Sequence, residues 1–205
     1  MIHDLVAAER RELADLFAAL PEGAWTVPTL CEGWRATEVL AHMTMPFRYS
    51  SGRFFLELAK SGGRFNRMSD RTARRDAAAL TPGELVECLR ANADHPWQPP
   101  GGGPEGALSH DVIHGLDITV ALGLDRKVPA DRLLTVLGGL TPRHARYFGV
   151  DLTGIALHAD DLDWSYGSGA RLTGAAQDLL LVVCGRRLPA GRLYGEPSPR
   201  FTAVS

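Results

Sequence analysis

Residues 105–122 are the segment that most restricts what this chain can fold into. Leu108, Val112, Ile113, Leu116, Ile118, Val120 and Leu122 fall almost all round a helical period, and Gly123 supplies a stop. A helix that is apolar on most sides belongs at the buried centre of a larger helical assembly. Against this background His110, His114, Asp117 and Ala121 make one narrow polar stripe. Burying two imidazoles and a carboxylate costs several kcal/mol unless they are hydrogen-bonded or hold a metal. A spacing of four residues puts the two rings on one helical face, about 6 Å apart along the axis. One ion can bridge imidazoles so placed, and a third ligand from elsewhere closes the site. The plain alternative is a polar pair packed near a bundle core. Asp111 falls off the stripe and is expected to be solvated or capping.

The candidate third ligand is His42, in the apolar run Val39-Leu40-Ala41-His42-Met43. That run belongs to an expected helix over about 36–60, with Pro46 in its interior. Proline cannot donate to the carbonyl four residues earlier, so a kink is expected to free the carbonyl of His42 itself. An amphipathic helix over 2–20 precedes it, with Leu5, Val6, Leu13, Leu16, Phe17 and Leu20 opposite a charged face. The loop between them carries Trp25 and Trp34. Residues 61–80 are rich in glycine and arginine and open on a clear break, Ser61-Gly62-Gly63. Thr81-Pro82-Gly83-Glu84 is a capping box that starts a helix running to about Asn92. Residues 95–104, dense in proline and glycine, form a loop of the kind that often overlies a site mouth, although a plain connector is the commoner role of such a stretch. A further helix fits 130–148, where His144 reads as a surface or core residue rather than a ligand.

The segments 36–60 and 105–122 then stand as the second and fourth helices of an up-down bundle, an arrangement that brings His42 to His110 and His114. Asp117, three residues after His114, is placed to hold a ligand ring from behind. Three neutral imidazoles with an open fourth position suit a catalytic Zn²⁺ site, and Ni²⁺ accepts the same ligands.

After Gly149 the pattern changes. Residues 154–160 read as a strand, Gly167-Ser168-Gly169 as a turn, and Ala175–Cys184 as a short buried helix capped by Thr173 or Gly174. The expected organisation is a helical bundle over 1–149 and a small α+β domain over 150–205 that is too short for a large core of its own.

Several function classes drop out. A net charge of −2 offers no basic field for nucleic acid or an anionic membrane. The apolar run Leu179–Cys184 is far too short to span a bilayer. Cys31, Cys88 and Cys184 are scattered without a paired motif, which points to a reducing, cytoplasmic setting and gives no catalytic triad. Arg48, six residues after His42, and Arg186 are the candidate anchors for an anionic cofactor or substrate group.

Three motifs in order resemble the mycothiol-dependent maleylpyruvate isomerase family, within the DinB-like helical superfamily. They are Trp25…Pro28-Thr29…Cys31…Gly33-Trp34 with Glu38-Val39-Leu40-Ala41-His42, then His110-x3-His114-x2-Asp117, then Asp163-Trp164…Leu172-Thr173-Gly174…Gly185-Arg186. The resemblance implies a mainly α, DinB-like four-helix bundle with a small C-terminal α+β appendage. It implies a divalent metal held by His42, His110 and His114, with mycothiol as the thiol cofactor. The implied chemistry is S-transfer to, or isomerisation of, a small electrophile by a cytoplasmic monomer or homodimer. In the isomerase itself the position of His110 is a glutamate, whereas histidine is common in the wider superfamily. That departure supports the metal more than it supports the particular isomerisation. The competing readings are a metal-dependent hydrolase on the same scaffold and a non-catalytic DinB-like metal-binding protein.

Overall fold

The first helix, α1 (Ile2–Ala18), turns Val6, Arg10, Leu13 and Phe17 to the interior, the 4-3-4 spacing of a single helical face. A 3-10 turn at Glu22–Thr26 buries Trp25 and leads to α2 (Ala36–Arg48), in which every residue from Ala36 to Met45 is buried. The computed structural model describes residues 1–203, excluding the side chains of residues 142–144, so His144 lies outside the described residues.

The expected helix over 36–60 is two helices. Pro46 is carried inside α2, which ends at Arg48, and α3 (Ser51–Lys60) starts afresh. Ser50 makes the second start, its hydroxyl accepting from the Arg53 amide at 3.3 Å. The glycine- and arginine-rich stretch contains a full helix, α4 (Phe65–Ala79), which buries Met68, Ser69, Thr72, Ala73 and Asp76. Its interior face is built from small and polar residues, so hydropathy alone does not show it. Thr81 caps α5 (Pro82–Ala91) through the expected box, its hydroxyl accepting from the Glu84 amide at 3.2 Å. The central helix is α6 (Gly103–Ala121).

Helix α1 packs on α5, and α2 packs on both α4 and α5. Side chains of α1 and α2 meet α6 through Arg10 and His42 respectively. Helices α1, α2, α5 and α6 therefore form the four-helix bundle, with α3 and α4 beside α2. The chain is mainly α with a small α+β portion, as the motifs implied.

The chain divides into two compact units, Met1–Ile118 and Thr119–Ser205, while the change in sequence pattern comes later, at Gly149. In the second unit the expected helix over 130–148 is interrupted, giving α7 (Ala130–Gly138) and α8 (Pro142–Tyr147). Four strands follow, β1 (Ile155–Ala159), β2 (Ser165–Gly167), β3 (Ala170–Gly174) and β4 (Leu193–Tyr194), in the order β2-β1-β3-β4. β1 is antiparallel to β2 and parallel to β3, so the chain must pass under the start of β1 between them. Gly169 makes that passage, because a Cβ there would stand 2.1 Å from the Gly154 carbonyl oxygen.

Helix α9 (Ala176–Val183) has a different cap from the expected one. Thr173 and Gly174 belong to β3, and the Asp161 carboxylate accepts from the Ala176 amide at 2.8 Å. None of the helices described is long and apolar enough to cross a membrane.

A candidate metal centre of three histidines

The start of α2 is fixed twice. The Glu38 carboxylate accepts from the Arg35 amide at 2.9 Å, and the Thr37 hydroxyl donates to the Trp25 carbonyl at 2.8 Å. These bonds set the rotation of α2 about its axis and so aim His42 at α6. On α6 the four-residue spacing places His110 and His114 side by side, with ring centroids 4.8 Å apart. The ring of His42 lies 5.2 Å from that of His110 and 5.0 Å from that of His114. One ligand nitrogen from each of the three rings lies within 4.8 Å of the other two.

Each α6 histidine is held from behind by a buried carboxylate. His114 Nδ1 is 3.0 Å from Asp117 Oδ2, the partner expected from the sequence. His110 Nδ1 is 2.9 Å from Asp111 Oδ1. Asp111 is a correction to the sequence reading: it is buried and paired with Arg10 Nε at 2.7 Å, neither solvated nor capping. A carboxylate on Nδ1 assigns the proton to that nitrogen and leaves the Nε2 lone pair for the centre of the cluster.

His42 differs from its two neighbours. Its Nδ1 is buried and has no hydrogen-bond partner among the described residues. Burial first, and then the nearby imidazoles of His114 and His110, push its pKa well below the ordinary histidine range. A neutral ring with an unmatched buried nitrogen, facing two rings whose lone pairs converge, suits a divalent cation. Three imidazoles match Zn²⁺, Ni²⁺ and related metals better than hard cations that prefer oxygen.

Two tryptophans flank the cluster. Trp34 stacks obliquely on His42 at 5.2 Å and donates to the Asp70 carboxylate at 2.8 Å, which fixes the indole. Trp97, from the proline- and glycine-rich loop, sits edge-on to His110 at 5.1 Å. The sequence favoured a plain connector for that loop over a site-mouth role, yet its tryptophan is against a candidate ligand.

Both arginines named from sequence have partners within the chain. Arg48 pairs with Asp76 at 2.7 Å and donates to the Ala41 carbonyl at 2.7 Å, so its guanidinium braces α2 against α4. Arg186 is in the second unit, donating to the Cys184 carbonyl at 3.2 Å. The residue that sequence reasoning passed over is Arg10. Its signal was a charge on the apolar face of α1, between Val6 and Leu13.

Residues 6–96, which include His42, match the sequence profile described as the mycothiol maleylpyruvate isomerase N-terminal domain. This stretch is similar to that family's N-terminal domain. The resemblance drawn from the motifs is thus borne out over the part of the bundle that supplies the first histidine. No curated protein matches the chain in sequence. Among solved structures, the crystal structure of the mycothiol-dependent maleylpyruvate isomerase resembles the chain with a TM-score of 0.56 and 17% identity. That likeness covers 100% of this chain and 97% of the other. A histidine-to-alanine mutant of the same enzyme gives a TM-score of 0.56 at 16% identity, with the same coverage. At these identities the likeness concerns the fold, and it extends the correspondence beyond residue 96 to the whole chain.

Proposed function

We propose that this chain is a mycothiol-dependent enzyme that uses a divalent cation to act on a small electrophile, by isomerisation or S-transfer. The observation that carries the proposal is the convergence of His42, His110 and His114 inside a bundle whose N-terminal part is similar to the isomerase family's domain. His42, His110 and His114 would hold the cation. When bound, the cation would lower the pKa of the cofactor's thiol and so supply a thiolate nucleophile at neutral pH.

The chain's own groups prepare the site for that chemistry. Asp111 and Asp117 keep the α6 rings in one tautomer and one orientation, so no reorganisation is needed on binding. His42 is held neutral by its surroundings and is therefore ready to donate a lone pair. Trp34 and Trp97 give the cluster apolar walls that limit water and strengthen electrostatic interactions inside it. An all-imidazole donor set adds no negative charge, so it favours an anionic sulfur more strongly than a set containing a carboxylate. The cysteines do not replace the external thiol. Burial pushes the Cys88 thiol up, and the three-residue cluster that converges is built from histidines alone.

The name of the similar solved structure, a maleylpyruvate isomerase, supports an electrophile of the maleylpyruvate type, and a reducing cytoplasm suits a thiol-dependent enzyme. The test is a thermal-shift titration of untagged protein with mycothiol, in the presence and absence of Zn²⁺. Stabilisation by the thiol that requires the metal supports the proposal. Stabilisation by metal alone, with no response to mycothiol at millimolar concentration, contradicts it.

A further inference from the structure

We infer that Arg10 is a positioning residue that sets two features of the site at once, the orientation of His110 and the placement of the loop bearing Trp97. The inference rests on the metal-site reading above.

Arg10 is on the interior face of α1 and is fully buried. An arginine there is costly to bury, and acceptors meet Nε and Nη1 while Nη2 has no partner among the described residues. Nε donates to Asp111 Oδ2 at 2.7 Å, and the other oxygen of the same carboxylate meets His110 Nδ1 at 2.9 Å. Nη1 turns to the backbone that follows α5. It donates to the His95 carbonyl at 2.7 Å, with longer contacts to those of Ala93 at 3.3 Å and Asn92 at 3.4 Å. The guanidinium also lies over the Phe47 ring at 4.9 Å, and that ring packs on His95 at 5.2 Å. Two residues beyond His95 stands Trp97, edge-on to His110.

One planar group thus spans α1, α2, α6 and the 92–97 segment. Its ends hold a carboxylate that steadies a candidate ligand and a loop that walls the same ligand. Arginine suits the task because its rigid fork can address a carboxylate and backbone carbonyls at fixed angles, which a lysine ammonium cannot.

The two roles can be separated experimentally. Arg10→Met with Asp111→Asn removes the ion pair without leaving a buried unpaired charge. The folded double variant should bind Zn²⁺ about 10–100-fold more weakly in chelator competition, and amides of the 92–97 segment should exchange with deuterium faster. Arg10→Lys keeps a cation for Asp111 but loses the fork, so it should restore Zn²⁺ affinity to within about threefold while the loop amides still exchange fast. Asp117→Asn is the control that weakens metal binding and leaves loop exchange unchanged. Wild-type Zn²⁺ affinity in the folded double variant, or wild-type loop exchange in Arg10→Lys, overturns the inference. Absence of Zn²⁺ binding by the wild-type protein overturns the metal-site reading instead, and the loop-exchange comparison then still reports on Arg10 alone.

Discussion

Two buried polar networks lie in the first unit, and they end differently. Beside α2, side chains of α3 and the arginine-rich α4 join Arg48 and Tyr49 in one network. Glu57 accepts from Arg71 and from Arg75 at 3.1 Å, while Asp76 accepts from Arg48 at 2.7 Å and from the Tyr49 hydroxyl at 2.9 Å. Both carboxylates meet cations already in the chain. Between α2 and α6, the histidine network has carboxylates on its outside and three imidazoles on its inside, with His42 Nδ1 left unmatched. Burial of charge is common to both regions. Each network leaves a buried nitrogen without a partner among the described residues, His42 Nδ1 in one and Arg71 Nε in the other, and what distinguishes the histidine site is the convergence of three lone-pair donors on one point. That convergence marks a candidate binding site, whereas the arginine network is architecture.

The contrast is most strongly tested by removing a member of each. His42→Ala should abolish stoichiometric Zn²⁺ binding, a drop of more than about 100-fold in affinity, with the fold retained by circular dichroism. Asp76→Ala should do the reverse. It should cost about 2–3 kcal/mol in urea unfolding by stripping Arg48 and Tyr49 of their acceptor, and it should leave Zn²⁺ affinity within about threefold. A large loss of metal affinity in Asp76→Ala would show that the brace from Arg48 to the Ala41 carbonyl reaches the site.

A smaller effect is expected from Asp117→Asn, which keeps the shape but lets the amide nitrogen face His114 Nδ1. Zn²⁺ affinity should fall about 10–100-fold, read by competition with a chelating dye. The smallest effect concerns acid stability. The hydrogen bond from Arg71, with help from Arg75, holds the Glu57 carboxyl down to about 2. A carboxyl with a lowered native pKa contributes stability that is complete above its unfolded value and is lost as pH falls toward the native one. Glu57→Gln should therefore lower stability at neutral pH and flatten its decline between about pH 4.5 and pH 2. An unchanged acid limb would mean that the arginine pairs are not held in solution.

The uneven legibility of these regions has a physical cause. Helix α6 was readable because its apolar residues surround the axis and leave His110, His114 and Asp117 as an anomaly. His42 was readable as one polar residue in an apolar run. Asp111 was misread, since its position off the histidine stripe points it at α1, and only the pairing with Arg10 across 101 residues explains its burial. Helix α4 was hidden for a related reason. Its buried face of Met68, Ser69, Thr72, Ala73 and Asp76 is mostly small or polar, so the residues that hold it are pairs from other elements rather than a hydrophobic stripe. The break between α2 and α3 turned on Ser50 as a cap, a signal outweighed in the sequence by the more conspicuous Pro46. Local pattern shows where apolar surface must go, while long-range ion pairs are decided by the fold.

The central claim is that the three histidines hold one divalent ion. X-ray absorption at the zinc edge, on untagged protein loaded with one equivalent of Zn²⁺, tests it most directly. The account predicts three imidazole nitrogens at about 2.0–2.1 Å with one water oxygen completing the shell, and loss of an imidazole in His110→Ala. A shell of oxygen alone, or a spectrum unchanged by His110→Ala, would contradict it.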